Sequence, residues 1–157
     1  MRKTKDGTVP STPVLSFLFF SNKESDVMQI EVFTQSAIKI TTTKNIYFDP
    51  YQIKNKYHDA DYVFITHDHC DHYDEESLRN ILKETTIIIT PECLEDRVKN
   101  ITKNYITVLP EKSYSVGELS FETIPSYNTN KPFHPKEKLY VGYKVKIEDK
   151  YFYIMGD

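Results

Sequence analysis

The sequence predicts a single folded domain that combines strands and helices, of the α/β or α+β class. Of its 157 residues, 39% are hydrophobic and 27% are charged, which is typical of one globular domain. In the middle of the chain, short β-prone runs alternate with segments of helical period, and towards its end several runs alternate strictly between apolar and polar residues. Sheets and helices in this order must pack as layers, with several antiparallel strand pairs.

The first regular elements follow a change of character near Met28. Residues 1–27 are rich in Lys, Ser, Thr and Pro and show no sustained period, so we expect a poorly ordered N-terminal extension. The domain itself is expected to occupy residues 28–157. Alternating apolar residues predict a hairpin across 30–40, and Ile46-Tyr-Phe48 predicts a third strand that ends at Asp49-Pro50.

The middle and the end of the chain supply the remaining elements. A helix is predicted over 74–83, because Asp74 is a suitable N-cap and the apolar residues that follow are spaced along one helical face. A second helix is predicted from Thr90-Pro91, with proline at its first position. The other segments read as strands: 62–66, 86–89, 105–109, 119–124, 139–147 and 151–155.

Composition excludes several classes of function. There are 20 basic and 23 acidic residues, so no overall positive field favours a nucleic-acid partner. The four glycines are far apart, which excludes a glycine-rich phosphate loop. Two cysteines cannot form a disulfide framework, and this favours a reducing compartment. The apolar run Val14–Phe20 is too short to cross a bilayer. We therefore expect a cytoplasmic protein with no membrane partner.

The most informative segment is Thr66-His-Asp-His-Cys-Asp-His72, which places three of the five histidines within six residues. It follows a predicted strand and precedes a predicted helix. Alternate residues of an extended chain point to the same side, so His67 and His69 can reach one metal ion. Asp71 and His72 lie where the chain bends and can face a second ion. Imidazole and carboxylate ligands suit Zn²⁺, with Mn²⁺ or Fe²⁺ as alternatives. The competing interpretation is a polar surface turn.

At this point the sequence resembles the metallo-β-lactamase superfamily of metal-dependent hydrolases, and within it the L-ascorbate-6-phosphate lactonase type. The matching segments are 48–50, 66–72, 125–135, 141–143 and 153–157. The resemblance implies an αββα sandwich, classed as α+β, of which this chain would form the N-terminal half to two thirds. It also implies that Asp157 bridges two metal ions. Asp49 would orient the site from a buried position, although a simple Asp-Pro turn is the alternative.

Two departures from the family pattern matter. The third histidine of the first metal usually follows a strand in a Pro-x-x-His arrangement, but here Asn128 stands at that position and His134 follows six residues later. Either His134 completes the first metal, or it contacts substrate or only solvent. The chain also stops at Asp157, so the second half of the family fold is absent from it. We expect a truncated hydrolase whose uncovered sheet could promote self-association.

The favoured function is a hydrolase with two divalent ions, acting through a bridging hydroxide on a small ester, lactone or phosphoester. Asp71 is the candidate catalytic carboxylate. Asn128 and Lys131 are candidate contacts for a substrate, which could be anionic. The alternative is a metal-binding half-domain without activity. A nuclease of the same superfamily is a weaker alternative, because no basic stripe is present. Relatives of the flavodiiron type would carry Glu at His69, which disfavours an oxidoreductase.

Overall fold

The architecture is a sandwich of two sheets, seen in a computed structural model that describes residues 15–19 and 27–157. The first sheet has seven strands in sequential order: β1 (Leu15–Phe19), β2 (Met28–Val32), β3 (Ile38–Thr41), β4 (Asn45–Phe48), β5 (Ala60–Phe64), β6 (Leu82–Pro91) and β7 (Tyr105–Val108). Its first four strands pair antiparallel, and its last four pair parallel. The α+β sandwich expected from the sequence is confirmed.

The second sheet is an antiparallel meander of four strands. They are β8 (Ser113–Val116), β9 (Leu119–Pro125), β10 (Val141–Ile147) and β11 (Lys150–Ile154), in the order β11-β10-β9-β8. The sequence analysis missed β8, because its polar residues give no strand signal on their own. Its turn into β9 depends on Gly117, whose φ of 59° is a left-handed conformation that glycine adopts without strain.

Two helices cover one face of the first sheet: α1 (Glu75–Ile81) and the single turn α2 (Glu95–Val98). The predicted cap of α1 is confirmed, since the Asp74 carboxylate accepts from the backbone N–H of Glu76 at 3.1 Å. The predicted start of the second helix is wrong. Pro91 is the last residue of β6, and a 3-10 turn over Glu92–Leu94 precedes α2.

Strand alternation divides the core into two layers. Phe48 and Phe64 point between the sheets, where the Phe64 ring lies 5.0 Å from that of Tyr143 on β10. The neighbouring residues Tyr47 and Val63 point the other way and pack under the helices. The parallel strands are therefore buried on both faces, and their carboxyl ends are fixed from both sides.

Residues 1–14 and 20–26 lie outside the described residues, so the expected N-terminal extension and the domain boundary at residue 28 stay predictions. Between these two stretches, Leu15–Phe19 is described, and it pairs antiparallel with β2 as the outermost strand of the first sheet. No helix of the described part of the chain is long and apolar enough to cross a membrane.

The outer face of the second sheet is mostly polar, with an apolar strip along its edge. Tyr151, Tyr153 and Met155 are 64%, 55% and 66% exposed, and the first two point to the same side of β11. An exposed apolar strip on an edge strand favours association with another chain. Self-association stays a prediction, and this strip is the surface that would carry it.

Candidate metal centre

The candidate site lies at the carboxyl ends of the parallel strands β4 and β5. Asp49 follows β4, and the segment from Thr66 to His72 follows β5 before α1 begins. Asp157 arrives from the opposite sheet, three residues beyond the end of β11. These three segments are far apart in the sequence, and the packing of the two sheets brings them together.

Four side chains form one close donor group: His67, His69, His134 and Asp157. One ligand atom from each lies within 4.8 Å of the others. The His67 Nε2 and His69 Nδ1 atoms are 3.1 Å apart, and an Asp157 carboxylate oxygen lies 3.8 Å from His67 Nε2. The structure thus brings together three imidazoles and one carboxylate, a donor set that suits a divalent transition metal.

The uncharged state of His67 also suits the binding of a cation. Burial and the nearby rings of His72, His134 and His69 lower the pKa of His67 to about 2. Its Nδ1 atom lies 2.8 Å from Thr66 Oγ1, whose own proton is donated to Asp49, so the ring proton belongs on Nδ1 and the lone pair of Nε2 faces the donor group. A neutral imidazole with a free Nε2 is the form that binds a metal.

A buried hydrogen-bond network orients these rings. The Asp49 carboxylate has no exposed surface, and it accepts from the Thr66 backbone N–H at 2.8 Å and from the Thr66 hydroxyl at 2.7 Å. It also accepts from His72 Nδ1 at 2.8 Å. Burial lowers the pKa of His72, but the hydrogen bond and charge of Asp49 outweigh it and raise the pKa overall. Asp49 is therefore more than a turn residue in this structure.

The bound proton on His72 Nδ1 leaves Nε2 free on the other side of the ring. Asp157 places one oxygen 3.3 Å from that atom, while its second oxygen faces His67 and His134 at 3.8 and 3.9 Å. Asp71, which is half-buried, has a carboxylate oxygen 3.8 Å from the same His72 Nε2. A second and more open group of donors thus adjoins the first, with Asp157 common to both.

Of the two candidates for the first metal, the structure brings only His134 into the donor group. Its buried ring lies 4.8 Å from the His69 ring. Asn128 is exposed, and its side-chain amide donates to the Phe133 carbonyl at 2.9 Å. Its backbone N–H donates to the His134 carbonyl, also at 2.9 Å. Asn128 therefore stabilises the loop that carries His134 through these two hydrogen bonds. The ligand role of His134 itself stays a prediction.

The predicted substrate contact Lys131 lies apart from this group. It is exposed on the loop before His134, and it forms no salt bridge among the described residues. The structure therefore shows where Lys131 lies without testing its role.

Two contributors escaped the sequence analysis. Tyr140 is buried, and its ring centre lies 5.1–5.9 Å from those of His67, His69 and His134. Its hydroxyl donates to Asp68, whose other oxygen accepts from Lys138 at 3.1 Å. The spacing of the histidine motif contains no signal for Tyr140, because Tyr140 lies far along the chain, directly before β10.

Gly156 is the second contributor, because it allows the chain to approach Thr66. A Cβ atom at this position would lie 2.7 Å from the Val141 carbonyl oxygen and 3.0 Å from Thr66 Cβ. The Ser126 hydroxyl also donates to the Gly156 carbonyl. A residue without a side chain is needed here, and it positions the neighbouring Asp157 against the histidines.

Comparison with known proteins agrees with this geometry. The family model described as the Beta-lactamase superfamily domain matches residues 29–157. The chain belongs to the metallo-β-lactamase superfamily. The match includes every residue of the donor group and both sheets from β2 onward. No curated protein matches the chain.

Solved structures of the same fold are similar at low identity. A candidate metal-dependent hydrolase from Parabacteroides distasonis aligns at 22% identity and a TM-score of 0.76, over 92% of this chain and 67% of that one. Igni18, a metallo hydrolase from Ignicoccus hospitalis, aligns at 18% identity and a TM-score of 0.63, over 83% of this chain and 60% of that protein. CmlA, a diiron β-hydroxylase from Streptomyces venezuelae, aligns at 14% identity and a TM-score of 0.66, over 85% of this chain and 30% of CmlA. The chain thus spans about two thirds or less of these structures.

Proposed function

We propose that this chain carries the metal-binding part of a hydrolase that uses two divalent ions and acts on a small ester, lactone or phosphoester. The observation that carries the proposal is the donor group of three imidazoles and one carboxylate at the carboxyl ends of β4 and β5. Within the superfamily, the resemblance of the histidine motif and its flanking segments to the L-ascorbate-6-phosphate lactonase type favours a lactone or phosphoester. Bound divalent ions would supply Lewis acidity and activate water at neutral pH.

The chain's own residues divide between two metal positions in this proposal. His67, His69 and His134 would hold the first ion, and His72 with Asp71 would hold the second. Asp157 would bind both, since its two oxygens face different histidines. The Asp71 side chain is 38% exposed whereas His67 and His72 are buried, so Asp71 could also accept a proton from an incoming water molecule.

Zn²⁺ is the metal that we propose first, with Mn²⁺ and Fe²⁺ as alternatives. Three imidazoles and one carboxylate match the borderline-soft character and the four ligands that Zn²⁺ prefers. The substrate would be a small molecule, and an anionic group on it would be attracted by Lys131 near the His134 loop. The described residues present no basic stripe of the kind that nucleic acids require, so a nuclease is not favoured.

Metal analysis tests the first part of the proposal. The chain, reconstituted with Zn²⁺ at pH 7.5 and desalted, should retain up to two ions per molecule by elemental analysis. His67→Ala should lose most of the first ion. The matched control is His58→Ala, because His58 is an exposed histidine outside the donor group, and its Nδ1 lies 2.9 Å from the Leu82 carbonyl oxygen. A folded chain that retains no transition metal would refute the proposal.

Activity assays separate a hydrolase from a binding module. The loaded chain should hydrolyse at least one of a nitrophenyl ester, a small lactone and a nitrophenyl phosphodiester, and His67→Ala should abolish that turnover. Full metal content without turnover of any of them would favour the alternative, a metal-binding portion that is inactive by itself. This alternative is favoured by one observation: the chain spans only 67% and 60% of the length of the first two similar structures.

A further inference from the structure

A cleft of about 310 Å³ lies beside the donor group, between the turn at 109–112 and the segment 135–140. Tyr140 belongs to both sites, since it lines the cleft and its ring contacts the three histidines. None of those histidines lines the cleft itself. It is therefore a separate concave surface that shares one aromatic wall with the candidate metal centre.

The walls of this cleft combine apolar and positively charged residues. Its apolar lining comes from Leu109, Pro110, Pro125, Tyr127, Leu139 and Tyr140. Two lysines, Lys112 and Lys136, and one glutamate, Glu111, complete the lining. Neither lysine takes part in the salt bridges formed by the described residues, although Lys136 lies 5.5 Å above the Tyr127 ring. The local charge is positive, and it adjoins a hydrophobic surface.

Backbone hydrogen bonds hold both walls in place. On one side, the Glu111 and Lys112 N–H groups donate to the carbonyl and hydroxyl oxygens of Thr123, each at 3.0 Å. On the other side, the Leu139 N–H donates to the Lys136 carbonyl at 3.2 Å. A cleft with fixed walls loses little conformational entropy when a ligand binds, so its affinity does not depend on ordering a loop.

Each wall also contains a residue in an unfavourable backbone conformation. Leu139 has a φ of 54° and Glu111 a φ of 58°, in the left-handed region that residues with a Cβ seldom adopt. Leu139 nevertheless lines the cleft, and 36% of its surface is exposed to solvent. Strained residues of this kind concentrate at binding sites, because there the conformation presents a side chain to a ligand.

We propose that this cleft binds a small organic anion with an apolar body, such as an aromatic or alkyl carboxylate, sulfonate or phosphate. The apolar body would pack on Leu139 and Tyr140, and the anionic group would pair with Lys112 and Lys136. The proposal goes beyond the hydrolase function, because it requires no residue of the metal centre to react. The anion could be the distal part of a substrate or a separate effector.

The test uses 4-ethylbenzenesulfonate as the probe, because a sulfonate is a poor metal ligand and leaves the histidines free. In two-dimensional NMR of the Zn²⁺-loaded chain, the probe should shift the amide signals of Leu109, Glu111 and Lys112 and those of 136–140. Benzylammonium, which has a similar ring and the opposite charge, should not shift them. Equal shifts with both compounds, or shifts confined to other regions, would overturn the proposal.

Two variants make the test specific. Lys112→Gln combined with Lys136→Gln should weaken binding of the sulfonate about tenfold, since each exposed ion pair contributes roughly a factor of two to five. Lys103→Gln, an exposed lysine outside the cleft, is the control and should bind as the parent does. Unchanged affinity in the double variant would overturn the charge pairing.

A third variant separates the apolar wall from the backbone conformation. Leu139→Asn keeps a residue that tolerates the left-handed region but removes the apolar contact, so it should bind the probe several times more weakly and fold normally. Normal binding by this variant would count against the cleft. Where the loaded chain turns over an ester, competitive inhibition by the sulfonate would identify a substrate subsite, and another inhibition pattern would identify an effector site. Metal content, measured separately, shows whether the hydrolase proposal stands in either case.

Discussion

Replacement of Asp49 by Asn should leave the chain folded but weaken its affinity for metal ions. The Asp49 carboxylate is completely buried and accepts three hydrogen bonds of 2.7–2.8 Å, two from Thr66 and one from His72 Nδ1. Asparagine has almost the same shape, so the backbone N–H of Thr66 can still donate to its remaining oxygen. Its NH2 group, however, would then face the Nδ1–H of His72. Both groups are donors, so no hydrogen bond could form between them.

The conflict is relieved only if the His72 proton moves to Nε2. That atom is the one that faces Asp157 at 3.3 Å, and a protonated Nε2 cannot bind a metal. Loss of such an orienting partner typically costs 10- to 100-fold in metal affinity, which corresponds to about 1.4–2.7 kcal/mol. The loss of hydrogen bonds to a charged group should also lower the free energy of unfolding by about 1–3 kcal/mol.

Both quantities can be measured on one preparation. Zn²⁺ affinity is obtained at pH 7.5 by competition with a chromophoric chelator, and stability is obtained from urea denaturation of the metal-free chain. Asp61→Asn is the matched control, since Asp61 accepts from the Asn45 N–H at 2.8 Å and from Lys83 at 2.7 Å at the opposite end of β5. The control should lose stability but keep its metal affinity. A folded Asp49→Asn chain with parental Zn²⁺ affinity would refute the role assigned to Asp49.

Three further predictions concern neighbours of the donor group. Thr66→Val removes the hydroxyl between Asp49 and His67 Nδ1, so Zn²⁺ affinity should fall about tenfold in the same competition assay and recover in Thr66→Ser. His134→Ala should weaken Zn²⁺ binding by one to two orders of magnitude, whereas Asn128→Ala, which removes only a loop contact, should do much less; equal effects would contradict the geometry. Tyr140→Phe loses the hydrogen bond to Asp68, so urea denaturation should show a loss of about 1–3 kcal/mol, while the retained ring keeps metal affinity within about twofold.

The local features of this protein could be predicted because they depend on neighbouring residues. The cap of α1 at Asp74 requires only its own carboxylate and the N–H groups that follow it. The strands β4 and β5 are apolar on both faces, and this pattern is visible without any partner. The same holds for the short spacing of His67, His69 and His72. One turn after a buried strand places all three at the carboxyl end of that strand.

The elements that were missed depend on distant partners. The strand β8 is polar, and it forms because β9 offers it hydrogen bonds over the whole register from Ser113–Glu122 to Val116–Leu119. In the second helical region, the pairing of β6 with β7 extends through Pro91 and delays the start of the helix. In both cases tertiary pairing outweighed the local preference.

The class of the fold and the short motif that carries the chemistry can be inferred from the sequence alone, because both are encoded in residues that lie close together along the chain. Which residues complete the site depends on how distant segments pack in three dimensions. His134 enters the donor group and Asn128 does not, because the loop folds back on a hydrogen bond between their main chains. Asp157 and Tyr140 reach the histidines from the second sheet, and Thr66 connects Asp49 to His67 through its hydroxyl. Such convergence is set by the packing of two sheets, which no spacing along the chain records.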